Sequence, residues 1–300
     1  MAVVINTNVD SLKIQNLLSS STSKMSSSMQ KMSSGLKILS AKDDAAGTVI
    51  SAKMQVQLDG NKIAQNNVQN ANALLSTAEG NLDVVQDNLS RIRDLTLQAK
   101  NGTYSSTEIK AMQDEVDERV AEINRVSKSA KYSSLALFGG DLANYGMTFQ
   151  VGADAGANNT ITAKGELFKS VEFSTLTGTA NKKFDLTTMK NSSTVAFTST
   201  VASAQTGDTD FDVAVRALDA AITDITDRKS IIGSAGNRMD SALSTLTTQF
   251  ENLSSAKSII TDADVAAEAS NFTQQQILQQ VSTSLLAQAN QAPSIALSLV

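Results

Sequence analysis

Cysteine, histidine and tryptophan are absent from the 300 residues, proline occurs once, and aromatic side chains make up only 4%. Without cysteine or histidine there can be no thiolate nucleophile, imidazole general base, Ser-His-Asp triad, HExxH zinc site or disulfide. The near-absence of proline removes the main helix breaker, so long unbroken helices are allowed. Few large rings suit close helix-to-helix packing of Ala, Leu, Val and Met better than a sandwich or barrel interior. The net charge of −5 disfavours a nucleic-acid groove. No apolar run approaches the roughly twenty residues of a membrane helix, so no membrane insertion is expected. The opening "MAVVINTNVDSLKIQ" lacks the basic start and sustained apolar run of a cleavable signal peptide. Any export is therefore expected by a route that reads no such signal.

What is present is heptad periodicity. Every seventh residue from Leu218 gives Ile225, Ile232, Met239, Leu246, Leu253 and Ile260, a seam that predicts a helix on the order of 65 Å long. In the first half, Ala64, Val68, Ala71, Leu75, Ala78, Leu82, Val85, Leu89 and Ile92 recur at alternating spacings of three and four. A lone helix can bury none of these, so the two seams require each other or other chains. Ser105 and Glu108 have capping-box spacing and start a third helix with Ile109, Met112, Val116, Val120 and Ile123 facing inward. "MTFQVGADAGANNTITA" alternates around a glycine-containing turn and predicts a β-hairpin. Residues 165–209, rich in Ser, Thr, Asn and Lys, suit a short, weakly specified outer insertion at the far tip of a hairpin-shaped molecule.

The two ends carry little charge. Glu268 is the last charged side chain. Beyond it Phe272, Ile277, Leu278, Val281, Leu285 and Ala289 are expected along one side of a helix, with amides and hydroxyls on the other. Amides argue against a membrane, and missing charge argues against a free surface helix. Near the start, Val3, Val4, Ile5, Val9 and Leu12 accompany the single charge of Asp10, and a stripe follows through Met25, Met29, Met32, Leu36 and Leu39. Such ends are expected to pair with each other and with copies of themselves. Pro293 is expected to kink or end the last helix. The adjacent Asp43 and Asp44 point about 100° apart on a helix and cannot converge on one substrate atom. They suit a helix start, where carboxylates meet the dipole, with Ser40 or Asp43 as the cap. No catalytic or metal residue and no cofactor is expected.

Several stretches carry a family resemblance: "INTNVDSL", "SSGLKILSAKDDAAG", "LSRIRDLTLQAKNGTYS", "FQVGADAG" and "DADVAAEASNFTQQQILQQVSTSLLAQANQAPSIALSL". On these the chain resembles bacterial flagellin, the filament subunit, over both ends but not in the middle. The resemblance implies a mainly α fold: an elongated, hairpin-like bundle of long coiled-coil-type helices with paired terminal helices, a small β-hairpin region and a short outer insertion. It divides the chain into an inner-layer helix and joint (1–43), two halves of a rod domain (44–164 and 210–257), the insertion (165–209) and a second inner-layer helix (258–300). Val9, Leu12, Leu18, Met25, Met29, Met32, Phe272, Ile277, Leu278, Val281, Leu285 and Leu286 are the implied polymerisation residues. Leu75, Leu82, Leu89, Ile225, Ile232, Met239, Leu246 and Leu253 form the rod seam, and Gly35, Asp43, Asp44 and Gly47 a flexible joint. The implied role is a helical homopolymer for swimming motility, located outside the cell and exported unfolded by the flagellar type III system. Implied partners are a flagellin export chaperone, cap and hook-filament junction proteins, and the host toll-like flagellin receptor through Arg91, Leu95 and Glu115. A hook-filament junction protein is the nearest alternative. A filament-embedded enzyme and a chemoreceptor-type coiled coil are more distant ones.

Overall fold

The structure, a computed structural model, describes residues 8–178, 184–191 and 209–297. Val3, Val4, Ile5, residues 179–183 and 192–208 of the polar insertion and the closing "SLV" lie outside the described residues. In chain order the helices and strands are α1 (Val9–Ser34), α2 (Ala45–Lys100), α3 (Ser106–Ser129), β1 (Lys131–Tyr132), β2 (Leu135–Ala136), α4 (Asp141–Tyr145), β3 (Met147–Gln150), β4 (Thr160–Ala163), α5 (Phe173–Thr177), α6 (Leu186–Asn191), α7 (Asp210–Thr261) and α8 (Val265–Leu297). The long helices start where a side chain can take up the free N–H groups of a first turn. Asn8 accepts from Ser11 N (3.0 Å) at α1, and Asp264 from Ala266 N (2.9 Å) and Ala267 N (3.1 Å) at α8. At α3, Ser105 and Glu108 cap each other's backbone, and at α7 Thr209 and Asp212 do the same.

The chain divides into two compact units, residues 60–249 and residues 1–59 with 250–300. In the first unit the α2 seam from Ala64 to Ile92 is buried throughout, as are Leu218, Ile225, Ile232, Met239 and Leu246 of α7. Ile109, Val116 and Ile123 of α3 join the larger part of this core. Full burial stabilises each such leucine or isoleucine by roughly 1.5–3 kcal/mol, an upper figure because denatured chains already bury some of it. Polar ties fix the register: Arg93 pairs with Asp219, Asn72 donates to Asp240 (2.9 Å) and Lys229 to Gln86 (3.2 Å).

The β part consists of two small antiparallel pairs. β3 and β4 pair Met147 with Ala163 through Gln150 with Thr160. A second pair, β1 with β2, turns through Ser133 and Ser134 and was not anticipated from the sequence.

Two expectations are corrected. The stretch from residue 165 is not wholly peripheral: Leu167, Phe168, Val171, Phe173, Leu176, Phe184, Leu186 and Met189 are all buried in the core. The rings of Phe173 and Phe184 meet edge-on at 5.4 Å. Buried Gln113 of α3 donates to Phe184 O (2.8 Å) and accepts from Leu186 N (2.7 Å). A few large side chains thus anchor a stretch whose average composition is polar. The last helix also does not end at Pro293, since α8 continues to Leu297. Proline lacks the N–H that would bond the carbonyl four residues earlier, that of Ala289. Asn8 supplies the missing donor, its Nδ2 lying 2.8 Å from Ala289 O.

Candidate functional site

In the second unit α1 and α8 run antiparallel, and their hydrogen bonds set the register. Beyond Asn8 with Ala289, Ser11 Oγ donates to Asn290 Oδ1 (2.9 Å), Gln279 Nε2 to Thr22 Oγ1 (3.4 Å) and Ser28 Oγ to Glu268 Oε2 (2.9 Å). Lys31 Nζ lies 3.7 Å from Glu268 Oε1. The most buried residues of the pair are small and polar: Ser11, Ser21 and Ser28 of α1 and Ser282 of α8. Ile14, Leu18, Met25 and Met32 flank them half-buried, as do Phe272, Leu286 and Ala289.

The larger apolar residues point outward. Ile277 is 54% exposed, Leu278 43%, Val281 47% and Leu285 47%, while Val9, Leu12, Leu17 and Met29 of α1 are each at least half exposed. The single apolar side expected for α8 is therefore corrected to two. Phe272, Leu286 and Ala289 face the half-buried seam, and Ile277, Leu278, Val281 and Leu285 form a separate outer stripe. The cause is spacing: at 3.6 residues per turn, positions 277 and 281 lie roughly opposite 272 and 286, while 278 and 285 sit on the flank, about 80–140° around the helix from them. A soluble helix normally carries charge there, and α8 carries none beyond Glu268.

The connections on either side of this pair are tied together. Lys37 N donates to Thr261 O (2.7 Å) and Ala263 N to Gly35 O (2.9 Å), bridging Leu36 and Asp262. Gly35 ends α1 with φ +70°, a left-handed conformation that glycine adopts without strain. Asp43 and Asp44 divide the next turn between them. Asp43 Oδ2 accepts from Ser40 N, Ser40 Oγ and Leu39 N, and the Ser40 hydroxyl with these amides holds its carboxyl below the usual aspartate range. Asp44 Oδ1 accepts from Gly47 N (2.9 Å). The cap of α2 is thus Asp44, not Ser40 or Asp43. Gly47, expected as part of a flexible joint, is buried in the first turn of α2, where a Cβ would fall 2.5 Å from Asp44 Oδ2 and 2.6 Å from Ile38 Cδ1. It permits close packing rather than bending.

On the first unit, Arg91 grips Glu115 through Nε (2.8 Å) and Nη2 (3.0 Å), and Arg119 adds a contact at 3.3 Å. Arg91 first, with Arg119, holds the Glu115 carboxyl below its ordinary range. Leu95, expected beside them as a surface contact, is only 2% exposed and belongs to the core. It extends the α2 seam three residues past Ile92, a continuation legible in the spacing. Leu97 is the leucine of that turn that reaches the surface, at 42%.

Long helices with an unpartnered, uncharged apolar stripe define a structural type of subunit. Family comparisons narrow the class. Residues 5–142 match the bacterial flagellin N-terminal helical region, and residues 215–300 the bacterial flagellin C-terminal helical region. The flagellin of Bacillus subtilis (strain 168) is 34% identical, with 99% of each chain covered, and that of Xenorhabdus nematophila is 36% identical with 100% of each covered. A solved structure described as a flagellar hook-associated protein from Vibrio parahaemolyticus has a TM-score of 0.54 at 15% identity, covering 73% of this chain and 99% of its own, which is a likeness of fold alone. The chain belongs to the bacterial flagellin family. Members of this family are structural proteins and not enzymes, and they polymerise into the extracellular flagellar filament. Among the described residues no helix is long and apolar enough to cross a membrane.

Proposed function

We propose that α1 and α8 form an inner layer around a central channel in the filament, with residues 44–164 and 210–257 forming a surrounding rod layer, and that the subunit reaches the tip unfolded through the flagellar type III system. The observation that carries this reading is the outer stripe of α8, about half exposed in one chain and without charge along the rest of the helix. Covering each large side chain of the stripe with a neighbouring copy would contribute up to about 1.5–3 kcal/mol. Val281→Asp leaves the isolated chain folded, because the position is surface in the monomer, and raises the concentration needed for filament growth about tenfold or more. Electron microscopy of the variant beside the parent tests this. Filaments of normal yield from the variant defeat the reading. An uncharged channel wall would also hold passing chains weakly. Unimpaired growth after acidic or basic substitutions along 275–291 would count against that part.

An export chaperone, the distal cap and the hook-filament junction proteins are the partners such a subunit requires. For the toll-like flagellin receptor we propose Arg91 and Glu115, adjacent and accessible, without Leu95. Arg91→Ala with Glu115→Ala abolishes receptor signalling if the pair is the contact, and full retention overturns it. The junction-protein alternative is separated by copy number: a strain lacking this chain alone retains full-length filaments only under that alternative.

A further inference from the structure

Asn101-Gly102 is the only asparagine-glycine pair in the sequence, and it occupies the turn between α2 and α3. Both residues are exposed. Most of the other described asparagines lie within helices, where the following amide N–H is engaged in the helical ladder. Gly102 is outside any helix, and among the described residues its N–H has no hydrogen-bond partner. A Cβ placed on Gly102 would find no atom within 4 Å, so the backbone can swing without obstruction. The Asn101 side chain is held back over its own chain: Thr103 N donates to Asn101 Oδ1 at 3.4 Å, an Asx-type arrangement that draws electrons from the amide carbon. The turn on either side is braced, Asn101 N to Gln98 O (3.1 Å) and Gln98 Nε2 to the Tyr104 hydroxyl (2.9 Å).

We propose that Asn101 is a site of spontaneous, irreversible covalent modification, in which its amide is converted to a carboxylate through a cyclic imide with Gly102. The Gly102 nitrogen gives up its proton to solvent base and bonds to Cγ of Asn101. The Cγ–Nδ2 bond breaks and the nitrogen leaves as ammonia. Water then adds to Cγ and breaks its new bond to the Gly102 nitrogen, giving aspartate, or adds to the main-chain carbonyl carbon of residue 101 and breaks the original peptide bond, leaving the chain running through Cγ as isoaspartate. No oxidant, metal or enzyme takes part.

The location gives the change a consequence. A carboxylate at 101 stands beside the unbonded carbonyls at the C-terminal end of the 56-residue helix α2, where negative charge is unfavourable. It also competes with Asp212 for Lys100. An isoaspartate further lengthens the backbone of the braced turn. A subunit outside the cell would carry this mark in proportion to its age.

The test is peptide mapping of the purified full-length chain after incubation at pH 6 and at pH 8, with fragmentation that separates aspartate from isoaspartate. Asn101 is expected to gain about 1 Da ahead of every other asparagine, faster at the higher pH. Gly102→Ala, which has room to fold normally, is expected to slow the reaction about tenfold or more by restricting the attacking backbone. Asn101→Asp, a mimic of one product, is expected to lower the unfolding midpoint. The proposal is overturned if Asn101 stays intact while other asparagines convert, if Gly102→Ala reacts as fast as the parent, or if the residue carries a glycan instead.

Discussion

Asn8 Nδ2 lies 2.8 Å from Ala289 O, the carbonyl that Pro293 leaves without its helical donor. The break in one terminal helix is therefore repaired by the residue that starts the other, since Asn8 also caps α1 through Ser11 N. The two ends of the chain, 281 positions apart, are matched at a single amide.

This matching is measurable as a coupling. Pro293→Ala restores a helical donor to Ala289 O and makes the Asn8 contact redundant. Asn8→Ala then costs about 1 kcal/mol less in the Pro293→Ala background than in the parent. Amide exchange along α1 and α8 reads the difference, and equal costs in both backgrounds would remove the link.

Glu268 takes part in two interactions at the other end of the pair, with Ser28 and Lys31. Glu268→Gln keeps an oxygen for the Ser28 hydroxyl and loses only a partly exposed ion pair, so it changes stability by less than about 1 kcal/mol. Glu268→Ala loses the acceptor as well and costs about 1 kcal/mol more. The same exchange experiment ranks the two variants.

At the start of α2 a usually favourable substitution should reverse its sign. Glycine to alanine inside a helix normally gains up to about 1 kcal/mol. Gly47→Ala instead destabilises, because its methyl would sit 2.5 Å from the capping carboxylate of Asp44. Asp44→Ala loses the cap, at about 0.5–2 kcal/mol, and in that background Gly47→Ala becomes less harmful. Thermal unfolding of the single and double variants checks the order.

The acid limb of stability has a defined contributor. Lys100 first, then the Thr209 hydroxyl and amide, lower the Asp212 carboxyl from 3.8 to about 2. A depressed pKa means the folded chain binds the proton less readily than the unfolded one. Its contribution is therefore present above about pH 3.8 and is lost as the pH falls toward about 2. Asp212→Asn lowers stability at neutral pH and flattens the loss across that window, as followed by unfolding at stepped pH.

Much of this architecture is legible in residue spacing. The seams of α2 and α7 and the capping box of α3 follow from period and position, because each reports a local rule repeated along a helix. Leu95 could have been read the same way, as the next step after Ile92, but resemblance placed it at the surface. Three features escaped for physical reasons. Phe184 is tied to Gln113, 71 positions before it, and Phe173 to Asn124, 49 positions before it, and no local pattern connects them. The division of α8 into two apolar faces is set by angle rather than by composition. Asp44 and Asp43 differ only in which amides the turn brings to each, so adjacent identical residues gave no means of choosing between them.

The serine-lined contact between α1 and α8 bears on the proposed export of the subunit before it serves as a girder. Hydroxyls gain little when two helices close over them, because water satisfies them almost as well when they part. On the export route proposed above, the ends would unzip for passage as a thread and re-form in the same alignment on arrival. Lasting cohesion is left to the neighbours that close over the outer face.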